Sequence, residues 1–383
     1  MNMTEHAPLK YQPSSAALTV ACNGWADMSE DVPNVETAAT LEGTAVHWVG
    51  EQILKSFATP AARLTCTSVD WVGKVAENGV VITPDMFHSA SQYATLCLKH
   101  AGGYLSEHTF VEKRIKGTRF HAKCWGTLDF AVWKPDQKLL VLRDLKSGHV
   151  RVDPKWCVQL IIYAVSLLDE ITDGHALDFD GGIEIDMGVI SPNVFDGKPV
   201  ETNWVVEAVD LRGMVNIIRG AFESDGTLFR SGHHCRNCPS LFKCDTAGDN
   251  IVSLAAVDAR SNLDPMAMTR EYEFLKQTVA LMKKRLDSIT DHIVMGVKEG
   301  GSFGMYGMVP SGSPRKKWVS DPRELSGLLG IDFEKKREPI TVSQAINKMK
   351  DEGVDESVIE GYYTLTPAKM TLEKLDLDGV FGK

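Results

Sequence analysis

The stretch from Gly126 to Tyr163, GTLDFAVWKPDQKLLVLRDLKSGHVRVDPKWCVQLIIY, constrains the fold more than any other part of the chain. Thr127 to Trp133 alternates and carries β-forming residues, Lys134-Pro135-Asp136-Gln137 reads as a turn, and Leu139 to Lys146 is a second apolar strand, so the pattern predicts a hairpin. Asp129 and Asp144 then lie on neighbouring strands. Side chains alternate along a strand, which puts Asp144 and Lys146 on one face and turns Leu145 into the core. Past Ser147-Gly148, Asp153-Pro154 signals a helix start, and Trp156 to Leu168 reads as a helix with Gln159 and Tyr163 four apart on one side. That side can look back at the acid and the amine.

Two carboxylates converging on a hard divalent cation, with a lysine beside them, suit phosphodiester hydrolysis. The metal polarises the phosphoryl oxygen and makes hydroxide from water, and the ammonium orients that water or offsets developing charge. An Asp-x-Lys tripeptide alone turns up by chance about once in a chain this long, so it has little weight by itself. The order of signals has more. Gly43-Thr44-Ala45-Val46-His47, Gly126-Thr127-Leu128-Asp129, Asp144-Leu145-Lys146 and Gln159-Leu160-Ile161-Ile162-Tyr163 follow one another along the chain.

This order resembles the PD-(D/E)XK nuclease superfamily, and within it the RecB-like branch that includes the RecB and AddB nuclease domains, the CRISPR-associated exonucleases and phage-encoded members. Leu128 stands where the superfamily name has a proline. The resemblance implies an α/β restriction-endonuclease-like core with a central mixed sheet flanked by helices. It implies Mg²⁺ or Mn²⁺ held by His47, Asp129, Asp144 and the backbone carbonyl of Leu145, with Lys146 positioning the attacking water and Gln159 and Tyr163 steadying the lysine or the DNA backbone. A metal-dependent DNA nuclease follows, an exonuclease before an endonuclease, in phage or bacterial DNA recombination, replication or repair. Its partner classes are DNA and a single-strand annealing protein, a single-strand-binding protein or a helicase. The alternative is a catalytically silent DNA-binding or assembly protein of the same fold.

Size and charge bound these readings. The chain has 383 residues, 43% of them hydrophobic, enough for one large or two moderate cores. Met1 to Gln12 lacks the basic-then-apolar run of a signal peptide and no window approaches a membrane span, so the expected location is a cytoplasm, the bacterial host's for a phage protein. Eight unevenly spaced cysteines fit a reducing compartment better than a disulfide framework. A net charge of −10 argues against a DNA-coating protein but leaves room for a local basic groove, for which Lys113, Arg114, Lys116, Arg119 and Lys123 are candidates; otherwise they are a solvated strand face.

Thr37 to Ser56 predicts a helix carrying His47, with Glu51 one turn on as a weaker supporting acid and Glu42 at the surface. Glu112, on a strand from Phe110 to Ile115, reaches a metal only if it faces inward; on an ordinary strand it is solvated. Further strands are expected at Gly182 to Ile190 and Asn203 to Val209, and a helix at Leu211 to Asp225.

The second signal is Cys235-Arg-Asn-Cys238-Pro-Ser-Leu-Phe-Lys-Cys244, three thiols at metal-ligand spacing that need a fourth donor. Cys22, at the end of a short N-terminal helix, can supply it, as can His233 or His234. In the AddB-type and CRISPR-associated relatives, one cysteine before the core and three after it hold a 4Fe-4S cluster, which assigns Cys22, Cys235, Cys238 and Cys244; Zn²⁺ is the rival. Cys66, Cys97, Cys124 and Cys157 read as small buried hydrophobes.

The motifs define a nuclease domain over 1–262 and an extension over 263–383. Asp245 to Ser261 reads as a link. In the extension, Leu275, Val279, Met282, Leu286, Ile289 and Ile293 recur at steps of four and three, a long amphipathic helix with a narrow apolar seam expected to pack on the core, with a partner helix as the alternative. A hairpin about Ser311-Gly312-Ser313-Pro314 brings together Arg315, Lys316, Lys317 and Trp318, a combination that suits single-stranded DNA or an ordinary hairpin end. Short helices at Pro339 to Lys350 and Val354 to Tyr362 and a loose tail complete the expectation.

Overall fold

The computed structural model describes residues 7–33, 36–58, 70–177, 182–255, 265–301 and, with short gaps, 303–374. The chain divides into two compact units, Met1–Arg285 and Leu286–Lys383, and the division falls inside its longest helix. Cys66 and the turn at 311–314 lie outside the described residues.

The first unit opens with α1 (Ala16–Ala21) and α2 (Trp25–Met28), then α3 (Ala38–Lys55) and α4 (Pro84–Ala101). The Thr37 hydroxyl caps α3 by accepting from the Thr40 amide, and Thr83 followed by Pro84 starts α4 in the same way. Three antiparallel strands follow, β1 (Thr109–Lys116), β2 (Trp125–Lys134) and β3 (Leu139–Leu145). After them come α5 (Val158–Ile171), β4 (Glu184–Ile190), β5 (Glu201–Glu207), α6 (Arg212–Glu223), α7 (Asp245–Ala255) and α8 (Pro265–Lys298).

The five strands form one mixed sheet in the order β1-β2-β3-β4-β5. β3 and β4 run parallel, a pairing that needs a crossover, and α5 provides it. Leu140 and Leu142 of β3 pack with α1, α5 and α6 on one face, while Val141 and Leu145 pack with α3 and α4 on the other. A helix lying between a sheet and further helices has no free side, and from Val158 to Leu168 all of α5 is buried except Gln159. The half-buried Gln159 is thus a polar group placed where an apolar one would pack. This is the α/β architecture expected from the motif order: a central mixed sheet with helices on both faces.

Asp245 to Ala255 is not a link but α7. Its polar start and the glycine at 248 conceal it in the sequence, and a side chain at Gly248 would meet the Arg285 guanidinium at 3.1 Å. The second unit contains β6 (Tyr306–Pro310), β7 (Arg315–Trp318), α9 (Pro322–Leu329), β8 (Glu334–Lys335), β9 (Glu338–Pro339), α10 (Val342–Asp351), β10 (Tyr363–Thr366) and β11 (Met370–Lys374). The expected hairpin between β6 and β7 is replaced by two longer-range pairings, β6 with β11 and β7 with β10. The stretch expected to be loose supplies both partners. Phe333, Val342, Ile346, Met349 and Ile359 form this unit's small core, and helix exceeds strand in it. Among the described residues, no helix is long and apolar enough to cross a membrane.

Candidate functional site

At the end of β3 the backbone of Leu145 is shared between two neighbours. Its amide donates to Asp129 Oδ2 at 2.7 Å, and its carbonyl lies 3.1 Å from His47 Nε2, so β3 holds a carboxylate from β2 on one side and an imidazole from α3 on the other. With Nε2 donating to that carbonyl, His47 Nδ1 faces Asp129 Oδ2 at 3.6 Å and Glu112 Oε1 at 3.7 Å. One ligand atom each from His47, Glu112 and Asp129 lies within 4.8 Å of the others, a group able to hold a metal ion.

Glu112 is the member that strand alternation conceals. It has φ +45°, the left-handed region that a residue with a Cβ adopts at a cost, and the β1–β2 ladder runs through Val111–Phe130 and Lys113–Leu128 while leaving the pair 112 and 129 unbridged. Both strands change face at that point: Val111 and Phe130 pack with α3 and α4, whereas Ile115 and Leu128 pack with α5. Regular alternation would keep residues an even number apart on one side. The break turns both carboxylates towards His47.

Asp144 stands beside this group, tied to different partners. Its Oδ2 lies 2.8 Å from Lys146 Nζ, its Oδ1 accepts from Gln159 Nε2 at 3.1 Å, and Lys146 Nζ donates to Gln159 Oε1 at 3.3 Å. The three side chains close a ring in which the half-buried Gln159 of α5 meets both ends of the Asp-x-Lys motif. Tyr163 lies one turn further on, 5% exposed, so it backs the site from inside. A Cβ at residue 126 would come within 2.9 Å of the Tyr163 hydroxyl and 3.0 Å of Pro13, which explains the glycine that opens Gly126-x-x-Asp129. Glu51 pairs with Lys55 along α3, and Glu42 is exposed.

The electrostatics are those of acids short of compensating charge. Burial raises the pKa of Asp129 despite His47 and Lys146, and burial raises that of Asp144, to about 6, against the pull of Lys146. Burial opposes a charged His47, yet Asp129 and Glu112 outweigh it and raise the imidazole to about 9. Burial likewise opposes the Lys146 ammonium, and Asp144 and Asp129 more than restore it. A divalent cation would supply what the protons supply here, and the donor set of imidazole and carboxylates fits Mg²⁺ or Mn²⁺. A cleft of about 550 Å³ opens over these groups, between the Thr40–His47 part of α3 and the Lys146–Val152 loop.

The basic run on β1 is partly spent. Lys113 pairs with Glu170 at 2.7 Å, Arg119 holds Asp169 through two nitrogens at 2.7 Å, and Arg114 lies over the Trp125 ring. Lys116 and Lys123 are exposed.

The cysteines form a second centre. Cys22 ends α1, Cys235 and Cys238 lie on and after a 3-10 turn, and Cys244 precedes α7; all four line one pocket walled by Leu18, Trp25, Phe229 and Leu241. His234 shares the pocket but engages the Arg230 carbonyl, and His233 pairs with Arg236, so the sulfur donors are the better-placed set. Burial raises the Cys235 thiol and raises that of Cys238 to about 11. Among the described residues, no three of these thiols gather within 4.8 Å as the His47 group does. A single Zn²⁺ with bonds near 2.3 Å would draw its sulfurs to about 3.8 Å apart, whereas an iron-sulfur core lies between its cysteines and keeps them wider. Cys97, Cys124 and Cys157 stand apart from this group, two of them fully buried.

Among solved structures, one described as a candidate exonuclease from Eubacterium rectale is similar at 12% identity and a TM-score of 0.31, over 70% of this chain and 99% of that one. A likeness so slight has no weight for fold or activity. Residues 6–372 match the family model described as a protein of unknown function, DUF2800, a span that includes both centres and most of the second unit. The chain therefore belongs to the DUF2800 family.

Proposed function

We propose that this chain is a divalent-metal-dependent DNA nuclease of the RecB-like kind, acting as an exonuclease in phage or bacterial DNA recombination, replication or repair. The observation that carries the reading is the meeting, at the end of β3, of groups from distant parts of the chain: His47, Glu112, Asp129, Asp144, Lys146 and Gln159. A Mg²⁺ or Mn²⁺ ion held by His47, Asp129, Asp144 and the Leu145 carbonyl, with Glu112 added, would polarise a phosphoryl oxygen and acidify a water. Lys146, kept charged by Asp144 and oriented by Gln159, places an ammonium at the cleft wall, where it can hold the attacking water and offset charge growing on the phosphate. Gln159 fixes the lysine, and Tyr163 fixes the packing between α5 and the start of β2.

The four cysteines are assigned to a 4Fe-4S cluster that joins α1 to the segment before α7. Hydrolysis needs no electron, so the cluster is structural. Its support is the four cysteines gathered in one pocket, where His234 is engaged with the Arg230 carbonyl.

The test uses end-labelled linear DNA and closed circular DNA with Mn²⁺, and wild-type or Lys146→Ala protein. The expected result is degradation of the linear substrate by the wild type alone, with the circle spared and the labelled end reporting polarity. Cutting of the circle would make the enzyme an endonuclease. No cutting by protein that retains metal at its cysteines would sink the catalytic reading and leave a DNA-binding protein of the same fold.

A further inference from the structure

Along α8 the apolar residues step by four and three from Met268 through Tyr272, Leu275, Val279 and Met282, and the pattern persists in the sequence to Ile293. A helix packed on a globular core follows a broader stripe with a 3.6-residue period, whereas a narrow seam repeating every 3.5 residues is what a second helix wound around the first requires. The structure does not bury this seam as core packing would. Met268 is 57% exposed, Tyr272 61%, Leu275 49% and Val279 61%. The helix is fastened to its own unit by the adjoining side: Thr278 is buried, Leu281 packs against the Cys235 and Leu241 cluster, and Arg285 donates to the carbonyls of Leu241 and Cys244.

We propose that α8 forms a parallel two-stranded coiled coil with α8 of a second copy of this chain. In heptad terms Tyr272 and Val279 take a positions and Met268, Leu275 and Met282 take d positions. A β-branched residue at a, as at Val279, with leucine at d, as at Leu275, is the combination that favours two parallel strands. The flanking charges choose both partner and direction. Glu271 occupies a g position and Lys276 the e position of the next heptad, so in a parallel pair Glu271 faces Lys276 of the partner subunit, and the same contact forms again by symmetry. An antiparallel pair would set like positions, and hence like charges, against each other. The seam is independent of the nuclease site, and the proposal does not rest on the nuclease reading.

The experiment is light scattering on the full-length chain at tens of micromolar, together with cleavage assays. The expected mass is twice 42.1 kDa. Leu275→Asp combined with Val279→Asp should give a monomer that keeps the visible absorbance or metal of its cysteine centre. Because aspartates in a helix can also lower its stability, a milder pair of variants serves as a check. Glu271→Lys should weaken the dimer about fivefold, two opposed pairs becoming like-charged, and adding Lys276→Glu should restore it. Leu275→Cys should cross-link to itself on mild oxidation above the wild-type background. A monomeric wild type, a dimer that survives the double aspartate, or no rescue by the charge exchange would each overturn the proposal. Loss of DNA cleavage with the dimer intact would bear on the nuclease reading alone.

Discussion

The carboxylate centre and the thiol centre solve opposite problems. Asp129, Glu112 and His47 are brought together by neighbouring strands and one helix, through backbone hydrogen bonds and ion pairs. The four thiols are walled by apolar side chains, two of them have their thiolates disfavoured by burial, and they connect Cys22 to a segment more than 200 residues away. The first centre is built by the sheet and would receive a metal into a finished frame. The second gathers segments far apart in the sequence, so a metal held there, as proposed, would join them and contribute to the fold.

That contrast is broken most directly by removing each metal in turn. Cys238→Ala should abolish the visible absorbance of the cluster and lower the melting temperature by about 10 °C or more, since a structural metal site can contribute on the order of 10 kcal/mol to folding. Stripping divalent cations with a chelator that leaves the cluster intact should move the melt by no more than a few degrees. Equal losses from the two treatments would mean that the carboxylate centre also depends on metal for its shape. Lys146→Ala is the matching change at the other centre: cleavage should fall about 10³-fold with the melting temperature nearly unchanged, because Asp144, already shifted to about 6, takes up a proton when its partner is lost.

The sequence was most legible where local signals coincide with topology. The Pro-Asp turn after Trp133 and the alternating runs on either side of it led directly to β2 and β3, and the motif order placed His47, Asp129, Asp144 and Lys146 at one end of the sheet. Glu112 was visible only as a conditional candidate. Its inward turn comes from a left-handed residue in mid-strand, and neither β propensity nor alternation registers such a break. The pairing of β6 with β11 and β7 with β10 was out of reach for a related reason. A short run of β-formers shows a strand but does not name its partner, and the near neighbour is the default only when a turn closes it. The seam of α8 shows the reverse case, a strict period legible in the sequence that does not by itself say what the seam packs on.

The carboxylate centre depends on β3, and β3 is held from its other face by a buried charge network that also sharpens the comparison. Arg143, 1% exposed, reaches Glu201 and Asp186, and His100 also reaches Glu201. Burial opposes the Glu201 carboxylate, but His100 and Arg143 outweigh it and lower its pKa from 4.5 to about 2. A depressed acid contributes stability above its unfolded pKa and loses it as pH falls through the folded one. Glu201 should therefore contribute stability at neutral pH that fades between about pH 4.5 and pH 2. Denaturation of Glu201→Gln and wild type as a function of pH tests this: the gap should narrow across that window, with the cluster absorbance unchanged. A gap independent of pH would assign the loss to packing instead of charge.

The smallest effect is the most discriminating, because at Glu112 stability and metal binding should move in opposite directions. The residue keeps φ +45° in order to aim its carboxylate at His47, and a non-glycine side chain there costs about 1 kcal/mol. Glu112→Gly removes that strain along with the carboxylate, so it should raise the melting temperature by about 2 °C and weaken Mn²⁺ binding about tenfold or more, as read by calorimetry. Glu112→Ala loses the ligand and keeps the strained backbone, so it should weaken Mn²⁺ equally with no gain in stability. If both variants melt alike, the left-handed turn is not a site of strain, and the aim of Glu112 costs the sheet nothing. If Glu112→Gly is stabilised but binds Mn²⁺ as the wild type does, the centre needs only His47, Asp129 and Asp144, and the change of face in β1 must serve the strands and not the metal.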